Sequence, residues 1–213
     1  MVKEEVMDVT VVSRSFPQIL PPQICRENIL DTIDTIFEGD TQLLVIEGGE
    51  GIGKTTLLTQ FAKKYPNQTI SLFIKPTSHW TYDPSFLLLD LCCQINWVLY
   101  QTELQDLNQI DDGFLRVGIF QLHRLTRQKP YYFLIDGLED IPEKESHARE
   151  SILEMLPFGL SGFRFLLTGD LRHLSPLVPK YSWAQIRSEF DSGRGKEVSW
   201  REKGRVIRRR KQA

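Results

Sequence analysis

Residues 42–58 read Gln-Leu-Leu-Val-Ile-Glu-Gly-Gly-Glu-Gly-Ile-Gly-Lys-Thr-Thr-Leu-Leu, an apolar run that enters a glycine-rich loop and leaves it with helix-forming residues. Gly48 to Thr55 fits G-x-x-x-x-G-K-[ST] in full, with a strand pattern before it and a helical pattern after it, the setting in which that spacing builds a phosphate-binding loop. Gly48, Gly49, Gly51 and Gly53, with Glu50 and Ile52 between them, let successive backbone N–H groups turn inward around phosphate oxygens. The free N–H groups and positive dipole end of the helix starting near Gly53 and running through Thr56 face the same anion, and Lys54 adds a full charge toward the β and γ positions. Thr55 offers a hydroxyl to Mg2+.

Downstream, residues 131–135 are apolar almost throughout, as a strand buried on both faces must be, and the run finishes on Asp136. A carboxylate at that place holds Mg2+ beside Thr55, directly or through water. Glu139 and Asp140 follow in Gly137-Leu138-Glu139-Asp140; they either orient or deprotonate an attacking water or cap the helix read over 143–156. A fourth strand over 163–168 ends at Thr168, which is read either as a reporter of the γ-phosphate state or as a turn residue, with Asp170 and Arg172 behind it. Arg26 and Glu27 lie 22 and 21 residues before Gly48, where they either close over base and ribose or open a helix.

The rest of the chain supplies the scaffold. Ile29, Leu30, Ile33 and Ile36 fall at helical spacing before Gly39-Asp40 stops the helix. A helix over 54–64 is followed by the turn Tyr65-Pro66-Asn67 and a strand over 69–74. Asp83-Pro84-Ser85 opens a long helix to about Leu99, a polar connection spans 101–112, and a further helix runs from about Gly113 to Thr126. A fifth strand is read at 182–187. Strands separated by helical crossovers predict a parallel sheet covered on both faces, with ligands collecting at the carboxyl ends of its strands. Residues 1–22, with a β-prone run at 9–12, read as a lead-in; 23–190 as one nucleotide-binding domain; and 191–213 as a basic tail that stays disordered or frays from a short helix.

Composition narrows the class. At 213 residues, 41% apolar and 25% charged, the chain suits one soluble domain or slightly more. It has no uninterrupted apolar stretch of ~18 residues and its start lacks a secretory layout, so a cytoplasmic protein without a membrane span is expected. Cys25, Cys92 and Cys93 show no Cys-x-x-Cys spacing and read as reduced thiols. The net charge of −2 hides an asymmetry: the last 21 residues carry nine Lys and Arg against two Glu, leaving 17 basic and 26 acidic residues in the rest. An acidic body argues against a large nucleic-acid surface on the domain, while the tail either contacts nucleic acid or an acidic partner or stays solvated.

The stretch from Pro21 to about Phe190 resembles the nucleotide-binding module of the STAND ATPases, the signal-transduction relatives of AAA+ proteins. Cys25-Arg26-Glu27 resembles their Gly-Arg-Glu motif, Gly48 to Thr56 their GxxGxGKTT loop, Leu134 to Asp140 a NACHT-like Walker B sequence, and Leu166 to Asp170 their sensor strand. The chain departs from the pattern at Cys25 for Gly, at Glu139-Asp140 for Asp-Glu, and at Asp170 where an Arg is frequent. The resemblance implies a P-loop NTPase fold of three α/β/α layers with a mainly parallel five-stranded sheet in the order 5-1-4-3-2. It also implies ATP or ADP with Mg2+, weak hydrolysis coupled to a switch, and a homo-oligomer or protein partner engaged through this domain. Such proteins carry a lid, which this sequence does not show after the fifth strand. Two other functions remain open: a nucleotide-binding accessory protein without turnover, and a P-loop small-molecule kinase, for which residues 141–162 offer only Arg149 as a lid arginine.

Overall fold

The computed structural model describes residues 13–18, 26–169, 183–190 and 198–202. The strands β1 (Leu43–Glu47), β2 (Thr69–Phe73), β3 (Tyr131–Asp136), β4 (Phe163–Thr168), β5 (Trp183–Phe190) and β6 (Val198–Glu202) form one sheet in the order β2-β3-β4-β1-β5-β6. The first five run parallel through the pairs β2·β3, β3·β4, β4·β1 and β1·β5; β6 returns antiparallel along β5. Helices α1 (Glu27–Glu38), α2 (Lys54–Lys64), α3 (Pro84–Tyr100), α4 (Asp112–Leu125) and α5 (Ser146–Met155) occupy the crossovers and the lead into β1.

Side chains alternate along each strand, so the sheet has two apolar faces. Leu44, Ile46, Tyr132, Leu134, Leu166 and Ile186 point to the face covered by α1 and α2, where they meet Ile33, Phe37, Leu57, Leu58 and Phe61. Leu43, Val45, Phe133, Ile135, Phe165 and Leu167 point to the face covered by α3, α4 and α5, against Leu87, Leu91, Ile95, Leu115, Leu122 and Ile152. Each of these core side chains contributes about 1.5–3 kcal/mol through removal from water, which is why the central strands read as continuous apolar runs.

Two segments differ from the sequence reading. The strand β6 falls inside the stretch expected to be disordered or helical: Val198 and Trp200 alternate with Ser199 and Arg201, and Val198, Trp200 and Glu202 pair with Phe190, Ser188 and Ile186. Such an alternation over four residues is a weaker signal than the basic composition around it. The helix read over 143–156 is also shorter: two one-turn 3-10 helices, Leu138–Asp140 and Glu143–Glu145, precede α5. Pro142 separates them, because it forces an extended backbone at its predecessor Ile141 (ψ 125°). The β-prone run at 9–12, Asp170, Arg172 and most of the tail lie outside the described residues.

The free edge of β2 is closed by side chains. Ser71 N–H donates to Gln94 Oε1 at 2.7 Å and Ser71 C=O accepts from Gln94 Nε2 at 2.9 Å and from the Ser13 hydroxyl at 3.0 Å, while Phe73 N–H donates to the Ser15 hydroxyl at 3.0 Å. Asp90, fully buried on α3, holds this seal by accepting from Arg14 N–H at 3.0 Å and from Gln94 Nε2 at 3.0 Å, and Phe16 packs edge-on against Phe73. An unpaired strand edge is a template for another chain, and these contacts occupy it.

Candidate functional site

The parallel register decides which residues meet. Ile46 lies beside Thr168 across β1·β4, and Ile135 beside Leu167 across β3·β4, so Asp136 falls next to Thr168 at the carboxyl end of the sheet. Asp136 and Thr168 follow Leu134 and Leu166 by two residues and therefore face the side on which α2 packs. Thr55, the second residue of α2, meets them there. Its hydroxyl donates to Asp136 Oδ2 at 2.5 Å, and the Thr168 hydroxyl donates to Asp136 Oδ1 at 2.5 Å while accepting Gly137 N–H at 3.2 Å. Asp136 is 8% exposed and Thr168 1%, so these hydrogen bonds carry the polarity that burial would otherwise leave unsatisfied.

The loop preceding α2 is shaped for close approach. Gly53 stands at φ +89°, in the left-handed region, and a Cβ there would come within 2.5 Å of Arg26 Nη2. Arg26 lies against the loop because its guanidinium donates to Ile52 C=O at 2.7 Å. The residue expected either to cover a base or to start a helix thus braces the loop and stands at the amino end of α1. Gly53, at the N-cap of α2, has no side chain to cap the helix, which suits its first N–H groups to an anion. The Lys54 ammonium folds across the loop and donates to Gly48 C=O at 2.6 Å and Gly49 C=O at 3.3 Å. Glu50 and Gly51 are exposed and Ile52 is buried, with Thr56 half-buried one position beyond Thr55.

Asp140 stands at the end of the first 3-10 turn with its N–H bonded to Gly137 C=O at 2.9 Å. Desolvation of its carboxyl, followed by the charges of Glu139, Asp136 and Glu50, pushes its pKa above the usual carboxylate range, and Lys54 acts in the opposite sense. Asp140 lies four residues beyond Asp136, with its Oδ2 3.3 Å from where a Cβ on Gly137 would stand. Gly137, at φ +77°, makes the turn possible: a Cβ would sit 2.5 Å from Ile74 C=O. Glu139 is half-buried beside it.

The donor set fits a nucleoside triphosphate with magnesium. An uncapped helix end and a lysine suit phosphate oxygens, and a hydroxyl touching one carboxylate is the small protein contribution that Mg2+ takes when phosphates and water supply its other ligands. Among the described residues, no group of three or more His, Cys, Asp or Glu could hold a metal by itself.

No protein-family model matches the chain, and no curated protein matches it in sequence. The Walker-type ATPase PABY2304 of Pyrococcus abyssi superposes with a TM-score of 0.52 at 15% identity, covering 79% of this chain and 55% of that one. A structure of Drosophila ORC bound to DNA gives a TM-score of 0.42 at 16% identity, covering 76% of this chain and 42% of that one. The chain has the P-loop NTPase fold. It spans about half the length of the ATPase it matches.

Within this P-loop NTPase fold, the structure brings Lys54, Thr55, Asp136, Thr168 and Asp140 to one end of the sheet, and holds Arg26 behind the loop. Sequence reasoning weighed Arg149 only as a lid arginine and missed its hold on the backbone. Its guanidinium donates to Leu138 C=O at 3.1 Å and to Ile141 C=O at 3.0 Å, clamping both ends of the turn that carries Glu139 and Asp140. No periodicity announces a side chain that bonds backbone carbonyls 8 and 11 residues away. Among the described residues, no helix is long and apolar enough to cross a membrane.

Proposed function

We propose that this chain binds ATP with Mg2+ in the loop Gly48–Thr56 and hydrolyses it slowly, as a regulatory switch module of the STAND kind. The observation that carries the reading is the contact between Thr55 and Asp136, which joins the phosphate loop to the acid ending β3. Lys54 and the α2 amino end bind the phosphates, and Thr55 and Asp136 hold the metal. Bound magnesium would neutralise charge on the β- and γ-phosphate oxygens. Asp140, with Glu139 beside it, takes a proton from the attacking water, and Thr168 keeps the Asp136 carboxylate aimed at Thr55.

Of the other readings, the accessory protein without turnover keeps a specific support: the Thr168 hydroxyl is spent on Asp136 and Gly137. The kinase reading loses its one arginine between 141 and 162, because Arg149 is committed to two backbone carbonyls.

Nucleotide titration and phosphate release on the full chain test the proposal. Lys54→Ala should weaken ATP binding by about 10–100-fold, the range of a lost charge-assisted hydrogen bond. Asp136→Ala should abolish the Mg2+ dependence of binding. Unaltered ATP affinity in the first variant, or unaltered Mg2+ dependence in the second, would overturn the assignment; binding without phosphate release would select the accessory reading.

A further inference from the structure

The outward surface of α4 exposes two large apolar side chains among charged ones. Phe120 is 63% exposed and Val117 58% exposed. At 3.6 residues per turn, Gly113, Val117, Phe120 and Arg124 fall within about 60° of one another, a seam at i, i+4, i+7 and i+11. Charge is divided along this seam. Asp111, the N-cap, and Asp112 flank its amino end to one side, and its carboxyl end carries Arg124. Arg124 makes no ion pair among the described residues.

The sequence of the seam is complementary to itself when reversed. An antiparallel copy centred between Gly118 and Ile119 sets Val117 against Phe120 and Gly113 against Arg124, twice, as a two-fold axis requires. Gly113 leaves room for the arginine, and the Asp111 carboxylate stands beside that room: a Cβ on Gly113 would lie 3.2 Å from Asp111 Oδ1. Among the described residues Asp112 pairs only with Arg116, at 2.6 Å on an exposed surface, an arrangement of little energy that leaves it able to share a second cation. Next to Val117, a groove of about 340 Å³ opens between α3 and α4, walled by Leu99, Tyr100, Phe114 and Gly118, and offers space for an aromatic side chain.

We propose that α4 is the contact helix of a symmetric dimer, in which Phe120 of each copy enters the groove beside Val117 of the other and Arg124 reaches the Asp111–Asp112 pair. The occupant is a second copy of this chain because one helix presents both halves of the complementary pattern. A seam one helix long, about 21 Å, makes a small interface, so the dimer forms reversibly and weakens as salt screens its end charges. The α4 surface lies on the sheet face opposite the one shared by Thr55, Asp136 and Thr168, so the inference stands whether or not the chain binds nucleotide.

Sedimentation velocity on the full chain, from low to high micromolar concentration, reads the dimer directly. Phe120→Glu removes an apolar anchor twice per dimer and should weaken association by about 100-fold or more, with the helical circular dichroism retained. Arg124→Glu and Asp112→Lys should each weaken it, and an equimolar mixture of the two should associate more tightly than either variant alone, since only the mixed pair restores opposite charges. A wild-type chain that stays monomeric throughout the range overturns the proposal. So does a dimer indifferent to Phe120→Glu, or a mixture no tighter than its parents.

Discussion

The Thr168 hydroxyl donates to Asp136 Oδ1 at 2.5 Å across the β4·β3 boundary, while the other oxygen of the same carboxylate receives Thr55. The acid is thus held at both oxygens, one from the neighbouring strand and one from α2. Thr168 is therefore expected to act first on Asp136, and on any γ-phosphate through it.

Replacing Thr168 by Val keeps the shape and removes both bonds, stranding Asp136 Oδ1 and Gly137 N–H in a buried place. The expected cost is about 1–3 kcal/mol of stability, together with weaker Mg2+-dependent nucleotide binding. Thermal unfolding and calorimetric titration with and without Mg2+ check this. Thr168→Ser, which retains the hydroxyl, should recover most of both effects.

Asp140→Asn should lower the rate of phosphate release by about 100-fold or more while leaving nucleotide affinity near its starting value, because a proton acceptor is lost and no phosphate contact is. The pH profile supplies an independent check. Partial desolvation of the exposed carboxyl and the adjacent acids raise the Asp140 pKa, and a base works only when deprotonated. The wild-type rate should therefore rise with pH through this raised value, and the variant should lose that limb. A variant that keeps the limb would assign the proton transfer to Glu139 or to another group.

Arg149→Ala frees Leu138 C=O and Ile141 C=O and releases the turn that holds Asp140. The phosphate-release rate should fall and nucleotide affinity should change little. Arg149→Lys should not restore the rate, since an ammonium cannot span two carbonyls as a planar guanidinium does. Single-turnover rates beside equilibrium titration separate the two quantities; recovery in the lysine variant would show that charge alone matters there.

Asp90 links the β2 seal to pH. Desolvation raises its pKa, although Arg14 N–H, Ser13 and Gln94 partly counter it. A carboxyl with a raised native pKa gives its full contribution to stability below its ordinary value of 3.8 and loses it as pH rises through the native one. The melting temperature of the wild type minus that of Asp90→Asn should consequently fall as pH increases from that value into the neutral range. A difference independent of pH would mean that Asp90 titrates alike in the folded and unfolded chain.

Much of the fold is legible in the sequence. The spacing of Gly48, Gly53, Lys54 and Thr55 marks a strand-loop-helix turn suited to phosphate because few other backbones need glycine, cation and hydroxyl at those intervals, and the apolar run 131–135 ending on Asp136 determines a buried strand that finishes in charge. These are local signals, carried by neighbours along the chain. Strand register is not local, and it alone set Thr168 beside Asp136 and turned both toward α2. The roles of Arg26, braced on Ile52, and of Arg149, braced on Leu138 and Ile141, likewise arise from bonds to carbonyls whose positions depend on the whole packed sheet. The strand β6 exists as a partner of β5, and a short alternating segment becomes a strand only when an edge is there to receive it. The sequence by itself determined which groups could grip a phosphate; the tertiary structure decided which of them share one carboxylate, because side-chain direction across parallel strands is a property of pairing rather than of composition.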